Sequence, residues 1–339
     1  MNPAQEGAQG KATGIGVYPG YAVLLILLLA YPWIASGFWT VQVGAYSLIL
    51  GIISLSLMFL AGYGGVVSLA QLTIAGCAGY MLAIHGVNSA GLGLGWPWWA
   101  AIPIAIVIAT LMATLIGLIS VRTEGIYTIM ITLAIAVAFF YFTRQNYTVF
   151  NGFTGFAGLE PPLLFGVNWR DAMPFYYLCL TVAVLCYSLV LYLGRSNFGI
   201  AMQAIRDNPR RMSTLGFSVN THRVLAYTIA GFVAALGGVL SVWFNGRISP
   251  GSISTGPVID ILIIAVVGGL GRPIGPFLGA LVFVLLENFA IDLIDRDRFN
   301  TVIGIAFLAM VLFSPDGLLG LWEKLKPRLV PRREGSAGT

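Results

Sequence analysis

The feature that most constrains this chain is a series of long, uncharged apolar runs, such as "AAIPIAIVIATLMATLIGLIS" over 100–120. About 20 such residues in a helix cross the roughly 30 Å hydrocarbon core of a bilayer. The chain is 58% hydrophobic and 9% charged, whereas a soluble domain carries about 25% charged residues. Because the runs are continuously apolar, they lack the alternating pattern of a membrane β-barrel. The sequence therefore predicts an all-α polytopic membrane protein.

Ten segments of the chain are predicted to span the membrane. They are residues 18–36, 43–61, 66–85, 97–121, 126–143, 174–193, 224–244, 258–270, 274–294 and 300–316. The eighth segment is short, and a tilted, a re-entrant or a broken helix would each fit it. We therefore expect a transmembrane domain of about ten helices over residues 18–316.

Lysine and arginine residues set the predicted orientation, because cytoplasmic loops carry an excess of them. We assign the most basic loop, 194–223, to the cytoplasm, and ten spans then place thirteen of the eighteen basic residues on that side. The thirteen are Lys11, Arg122, Arg195, Arg206, Arg210, Arg211, Arg223, Arg272, Lys324, Lys326, Arg328, Arg332 and Arg333. The outer five are Arg144, Arg170, Arg247, Arg296 and Arg298. Both termini are then cytoplasmic, as a flexible tail (1–17) and a basic tail (317–339).

The basic loop 194–223 is also predicted to contain two short helices. Apolar residues recur at helical spacing over 198–207, which indicates an amphipathic helix. Asn208 is a good N-cap and Pro209 suits a first helical position, so a second short helix follows a corner. Gly216 is expected to end it. Two interpretations fit the segment equally well, an amphipathic surface on anionic lipid and a docking site for a soluble partner.

Polar side chains within the predicted spans are candidates for function, because at membrane depth they must face protein or water. Ser68, Gln71 and Thr73 lie at the start of the third span, where they either bond to other helices or line a solute path. Glu287 lies inside the ninth span and is either a functional acid or a hydrogen-bonded structural one. The residues alone leave both alternatives open.

The sequence contains none of the residue sets that enzymes use for catalysis. Two histidines and scattered serines form neither a metal site nor a nucleophile–base pair, and no G-x-x-x-x-G-K-[ST] phosphate loop occurs. Cys77, Cys179 and Cys186 lie within apolar runs, which is typical of core residues. Such a chain binds or moves a solute rather than converting it, and a nucleic-acid partner is not expected.

Five motifs in order resemble those of the permease subunits of branched-chain amino-acid ABC importers, of the LivM type. They are "GYGGVVSLAQLTIAGCAGY" (62–80), "FTGFAGL" (153–159), "FGIAMQAIRDN" (198–208) followed by "LG" (215–216), "VVGGLGRPIGPFLGA" (266–280) and "LFSPDGLLGL" (312–321). The resemblance runs from about residue 50 to residue 322, which is most of the chain. Departures occur at Ala70, at Phe156 and Ala157 in the outer loop, and at Pro209, Met212 and Ser213 in the basic loop.

The resemblance implies a set of partners for a chain in the bacterial inner membrane. In such importers two homologous permease subunits form the pathway, and a periplasmic solute-binding protein delivers the solute. Two cytoplasmic ATPase subunits each bind a coupling helix of a permease. ATP and Mg²⁺ would therefore bind the ATPases, and this chain would be no enzyme and hold no cofactor.

The resemblance also implies roles for particular residues. The expected substrate-pathway residues are Ser68, Gln71, Thr73, Thr154 and Gly155, together with Glu287, which is a candidate because it is an acid within a span. The expected ATPase-coupling residues are Phe198, Met202, Ile205, Arg206, Asn208, Arg210, Arg211, Met212 and Gly216. Of these, Met202, Ile205 and Met212 would be buried against the ATPase, and Arg206 would add a charge-assisted contact.

The solute is left open, because similar permeases carry urea, short amides or other amino acids. Branched-chain or other hydrophobic amino acids are the first expectation, and urea or a short amide is the alternative. A different class of protein, an ion-coupled secondary transporter with Glu287 or Asp260 as its ion site, also fits the composition. A channel-like facilitator is a third possibility.

Overall fold

The computed structural model describes residues 19–163, 166, 168–293 and 304. Its helices are α1 (Pro19–Ile34), α2 (Tyr46–Met58), α3 (Gln71–His85), α4 (Trp98–Ser120), α5 (Ile126–Gln145), α6 (Ala172–Arg195), α7 (Asn197–Asp207), α8 (Pro209–Thr214), α9 (Val219–Asn245), α10 (Thr255–Gly268) and α11 (Gly275–Leu293). π-Helical turns at Trp39–Ala45 and Phe59–Tyr63 extend α2 on both sides, and a 3₁₀ turn covers Pro250–Ile253. Strands β1 (Phe156–Ala157) and β2 (Arg247–Ile248) pair antiparallel. The all-α class is confirmed for the described residues.

Nine of the ten predicted spans coincide with helices of the structure. Five of these helices are long and apolar enough to cross a membrane. They are Trp39–Tyr63, Trp98–Ser120, Ile126–Gln145, Ala172–Arg195 and Val219–Asn245. The eighth span is a continuous helix, α10, of only 14 residues. Apart from residue 304, the tenth predicted span lies outside the described residues, as do both predicted tails, so the count of ten and the cytoplasmic termini stay predictions.

The span that contains α2 forms the centre of the molecule. α2 packs against α3, α6, α9, α10 and α11, and side chains such as Ile49, Ile52 and Ile53 are fully buried. A helix that is apolar on all sides is typically buried in this way. In contrast, α4 and α5 expose much of their apolar surface, including Leu111 and Leu115 on α4. These exposed faces are what a helix in contact with lipid requires.

Small residues allow α9 to approach its neighbours closely. Ala230, Ala234 and Gly238, which recur every four residues, are buried, and a Cβ at Gly238 would overlap the backbone of Ala75 in α3. Close approach through small residues is the usual means of helix association in membranes. These small residues therefore form a close-packing stripe on α9.

α3 begins later than the sequence pattern indicates, at Gln71 instead of residue 66. The backbone N–H of Leu69 donates to Oγ1 of Thr132 at 3.1 Å, and the N–H of Ala70 donates to Oγ of Ser68 at 3.3 Å. Side chains therefore take up the donors that a helix would use in its ladder. Residues 65–70 form a non-helical break between two helices.

Connections that were predicted to share a side of the membrane meet at the same end of the structure. At the first end, which we call the α7 end, Arg206 contacts Gly65 and Arg223 lies 3.9 Å from Glu124. At the opposite end, the β end, β1 pairs with β2 and the N–H of Ser89 donates to the carbonyl of Ala157 at 2.9 Å. The predicted alternation of the spans thus agrees with the structure.

Candidate functional site

The predicted coupling segment consists of the two short helices α7 and α8. Oγ of Ser196 caps α7 by accepting from the N–H of Gly199 at 3.3 Å. Oδ1 of Asn208 caps α8 by accepting from the N–H of Arg211 at 2.9 Å. Gly216 ends the segment with φ +89°, a left-handed conformation that glycine adopts readily. The predicted corner and both short helices are confirmed.

The apolar face of this segment contacts the rest of the chain. Met202, Ile205 and Met212 are only 2%, 0% and 8% exposed. The ring of Phe198 is half-buried and stacks on His222, with 5.8 Å between ring centroids. The expectation that the three aliphatic side chains are available for burial against an ATPase is therefore wrong for this conformation. Periodicity identified the apolar face but not the surface that covers it.

Other residues of the segment form its outward surface. Ile200, Leu215 and Phe217 are large apolar residues with exposed side chains. Arg210 and Arg211 of α8 are also exposed. An apolar and basic surface of this kind suits a protein partner, because apolar anchors and arginines dominate the energetics of protein interfaces. The coupling role of the segment stays a prediction.

Arg206, a predicted ATPase contact, is bonded within its own chain. Its Nη1 donates to the carbonyl oxygen of Gly62, and its Nε donates to Oδ1 of Asp207 at 3.0 Å. Its side chain is part-exposed, so the ion pair with Asp207 lies at the surface. The guanidinium therefore ties α7 to the end of the central span.

The predicted pathway residues of α3 and the preceding break lie inside the chain. Ser68, Gln71 and Thr73 are all buried. The hydroxyl of Ser56 donates to Oε1 of Gln71 at 3.0 Å, whereas Nε2 of Gln71 and Oγ1 of Thr73 have no partner among the described residues. Such atoms can bind a polar solute or water. Because they are buried here, a solute can contact them only after a rearrangement of the surrounding helices, and their pathway role stays a prediction.

The other predicted pathway residues lie elsewhere. Thr154 is exposed at the β end, and Gly155 is buried with φ +66°. The side-chain amide of Asn151 donates to the carbonyl of Gly155 at 2.6 Å. The turn leads directly into β1, where Phe156 pairs with Ile248. The structure thus places these two residues in an ordered loop, away from Gln71.

Glu287 lies on α11, which packs against α10. Its Oε2 is buried and has no hydrogen-bond partner among the described residues. Asp260 lies on α10 and, like Glu287, is half-buried. The ion-coupled alternative uses either of these acids as its ion site, and that role stays a prediction.

A cavity of about 330 Å³ opens at the β end, between the segments around α3, α4 and α9. Its lining is mainly apolar and aromatic, and includes Trp96, Trp98 and Trp243. Glu160 also lines it, and this carboxylate forms an ion pair with Arg170. Tryptophan residues are common where helices meet the membrane surface. None of the predicted pathway residues lines this cavity.

Sequence reasoning missed two polar partners of the break and α3. Ser56 bonds to Gln71, and Thr132 of α5 accepts from the backbone of Leu69. Both are buried hydroxyls within apolar spans, which is the signal that identified Gln71. The two residues of each pair are far apart in the sequence, so the sequence alone does not predict that they form a hydrogen bond.

The profile of the family described as "Branched-chain amino acid transport system / permease component" matches residues 40–312. The chain belongs to this family. It is therefore a transporter component rather than an enzyme, and an integral protein of the inner membrane.

Individual relatives show how broad this permease family is. The chain is 25% identical to the branched-chain amino acid permease LivM of Escherichia coli, over 87% of this chain and 73% of LivM. It is 28% identical to a probable branched-chain amino acid permease, LivH, of Methanocaldococcus jannaschii, over 92% and 93% of the two chains. It is 24% identical to the ribose import permease RbsC of Haemophilus influenzae, over 71% of this chain and 76% of RbsC. No solved structure matches the chain.

Proposed function

We propose that this chain is one of two homologous permease subunits of an ABC importer. The importer takes up branched-chain or other hydrophobic amino acids delivered by a periplasmic binding protein. Two separate ATPase subunits bind at the α7 end and drive the transport. ATP and Mg²⁺ bind those subunits, and this chain supplies half of the membrane pathway.

The match of the permease family to residues 40–312 carries this proposal. The exposed arginines and apolar side chains of α7 and α8 support it, since they offer a soluble partner a compact surface at one end of the spans. The buried polar atoms of Gln71 and Thr73 support a path for a polar solute near α3.

The choice of an amino acid as the solute rests on the relatives that carry branched-chain amino acids in their names. The ribose permease relative shows that family membership alone does not fix the solute. Urea or a short amide remains the alternative solute. The buried Oε2 of Glu287, which has no hydrogen-bond partner among the described residues, favours a second candidate function, an ion-coupled transporter that works without ATP.

The test is uptake by proteoliposomes that contain this chain with its partner permease and the two ATPases. Radiolabelled leucine, isoleucine, valine, urea and acetamide are offered together with the binding protein. We expect uptake of leucine, isoleucine or valine only with ATP on the ATPase side. We expect this uptake to persist when ionophores collapse the ion gradients. Uptake by this chain alone, driven by a proton or sodium gradient, would instead establish the ion-coupled alternative.

A further inference from the structure

The inward face of α7 carries two hydrogen-bond donors in addition to its apolar side chains. Nη1 of Arg206 donates to the carbonyl of Gly62, and Nε2 of Gln203 donates to the carbonyl of Gly194 at 3.1 Å. Gly62 lies in the last turn of the central span Trp39–Tyr63, and Gly194 lies in the last turn of α6. The final carbonyls of a helix lack partners within the helix, and a cation or amide donor is stabilising there. α7 therefore holds the ends of two spans.

Two glycines form the surface on which α7 lies. A Cβ at Gly65 would be 2.5 Å from Cγ of Arg206, and a Cβ at Gly64 would be 2.9 Å from Cε of Met202. Gly65 also has φ +66°, which glycine tolerates better than other residues. A larger residue at Gly65 would push the arginine away from Gly62. The contact is therefore close and specific to these residues.

This contact leads directly to the predicted pathway. The non-helical break over residues 65–70 joins it to α3, and Ser68 lies within the break. Gln71, the first residue of α3, is bonded to Ser56 of the central span. Only a few residues of the chain separate Gly62 from Ser68 and Gln71. A shift of α7 relative to Gly62 would therefore change the positions of Ser68 and Gln71.

We propose that Arg206 is a positioning residue for transport, which acts through the carbonyl of Gly62. It passes the movement of α7 to the break that precedes α3. The role rests on the proposed ATP-driven function, and it differs from a contact between Arg206 and the ATPase. The outward surface of α7 and α8 binds the partner, while the inward donors carry the movement into the membrane domain.

The test compares variants of the assembled importer in proteoliposomes. Arg206→Met keeps the length of the side chain but removes its donors and charge, and Arg206→Lys keeps the charge and one donor group. Gly65→Ala disturbs the same contact from the opposite side. Arg122→Met removes an exposed arginine at the same end, and Asp207→Asn removes only the surface ion pair, which we expect to matter little. The measured quantities are solute imported per ATP hydrolysed and the affinity of the ATPases for the permease.

We expect the ratio of solute to ATP to fall at least fivefold in Arg206→Met and in Gly65→Ala, with ATPase affinity within twofold of the wild type. Arg206→Lys should recover part of the ratio, and both controls should stay within twofold. An unchanged ratio in Arg206→Met and Gly65→Ala would overturn the proposal. A loss of ATPase affinity in Arg206→Met with an unchanged ratio of solute to ATP would also overturn it, because that result would show a direct contact between Arg206 and the ATPase. A wild-type complex without ATP-driven uptake would contradict the proposed function instead.

Discussion

Single small residues decide how closely the helices of this chain can approach each other. At Gly238 of α9 the backbone of α3 lies where a Cβ would be, and at Gly231 the side chain of Ala113 on α4 occupies that place. In lipid there is little hydrophobic gain from bringing two apolar helices together, so close packing of backbones has to hold them. The stability of the α3–α4–α9 contact therefore depends on residues that carry almost no side chain.

Replacement of Gly238 by alanine tests this dependence. The added methyl group would overlap the carbonyl of Ala75, a backbone atom that cannot rotate away. Overpacking of this kind costs about 1–3 kcal/mol, so we expect a lower midpoint of thermal unfolding in detergent. Gly256→Ala is the matched control, because nothing lies within 4 Å of a Cβ there. As Gly256 lies in α10, alanine should leave the midpoint unchanged or raise it. Equal midpoints for the two variants would contradict the prediction.

The type of a residue was enough to predict that a polar side chain in a span is buried, but it was not enough to predict that side chain's hydrogen-bond partner. Gln71 and Thr73 were recognised from sequence because a polar side chain in an apolar run has to face protein or water. Both are buried. What the sequence could not give is that Gln71 bonds to Ser56 while Thr73 has no partner among the described residues. Such pairing depends on how separate spans pack, which no local pattern encodes.

At the scale of elements, the coupling segment shows which features are local. The corner between α7 and α8 was predicted correctly, because Asn208 and Pro209 act on their immediate neighbours in the chain. The apolar face was also predicted correctly, but its contacts were not, because Met202 packs into the core of the distant spans while Ile205 and Met212 form a small cluster with Ala201 and Val219. The break before α3 was missed for the same reason, since it depends on Thr132 of another helix.

The outward surface of α7 and α8 is therefore the part on which ATPase binding should depend. Leu215 is 68% exposed and lies beside the exposed Arg211. Burial of a leucine side chain stabilises a contact by about 1.5–3 kcal/mol, so Leu215→Asp should weaken ATPase binding by roughly 10-fold or more. Leu215→Met keeps the apolar surface and should bind within threefold of the wild type. Affinity between the solubilised permease pair and the ATPase measures the effect, and equal affinity of Leu215→Asp and the wild type would remove this surface from the interface.

For the whole molecule, the alternation of spans was predicted from hydropathy and agrees with the structure at both ends. The contacts of Arg206 with Gly62 and of Arg223 with Glu124 show that connections predicted to be cytoplasmic lie together at the α7 end. The β1–β2 pair gathers the other set at the β end. The packing of the helices fixes which connections lie together, but it does not fix which end faces the cytoplasm. Only the distribution of Lys and Arg bears on that, through the excess of positive charge in cytoplasmic loops.

Thiol labelling of single introduced cysteines decides the orientation. Thr154 at the β end and Thr214 in α8 are both exposed, whereas the native Cys77, Cys179 and Cys186 are buried and give a quiet background. In sealed spheroplasts we expect a membrane-impermeant maleimide to label Thr154→Cys and to leave Thr214→Cys at least tenfold less labelled. After permeabilisation both should react, because both side chains are accessible from the water phase. The reverse pattern would place the α7 end outside the cell, where a cytoplasmic ATPase cannot reach it. That result would contradict both the orientation predicted from the basic residues and the proposed binding of the ATPases to α7 and α8.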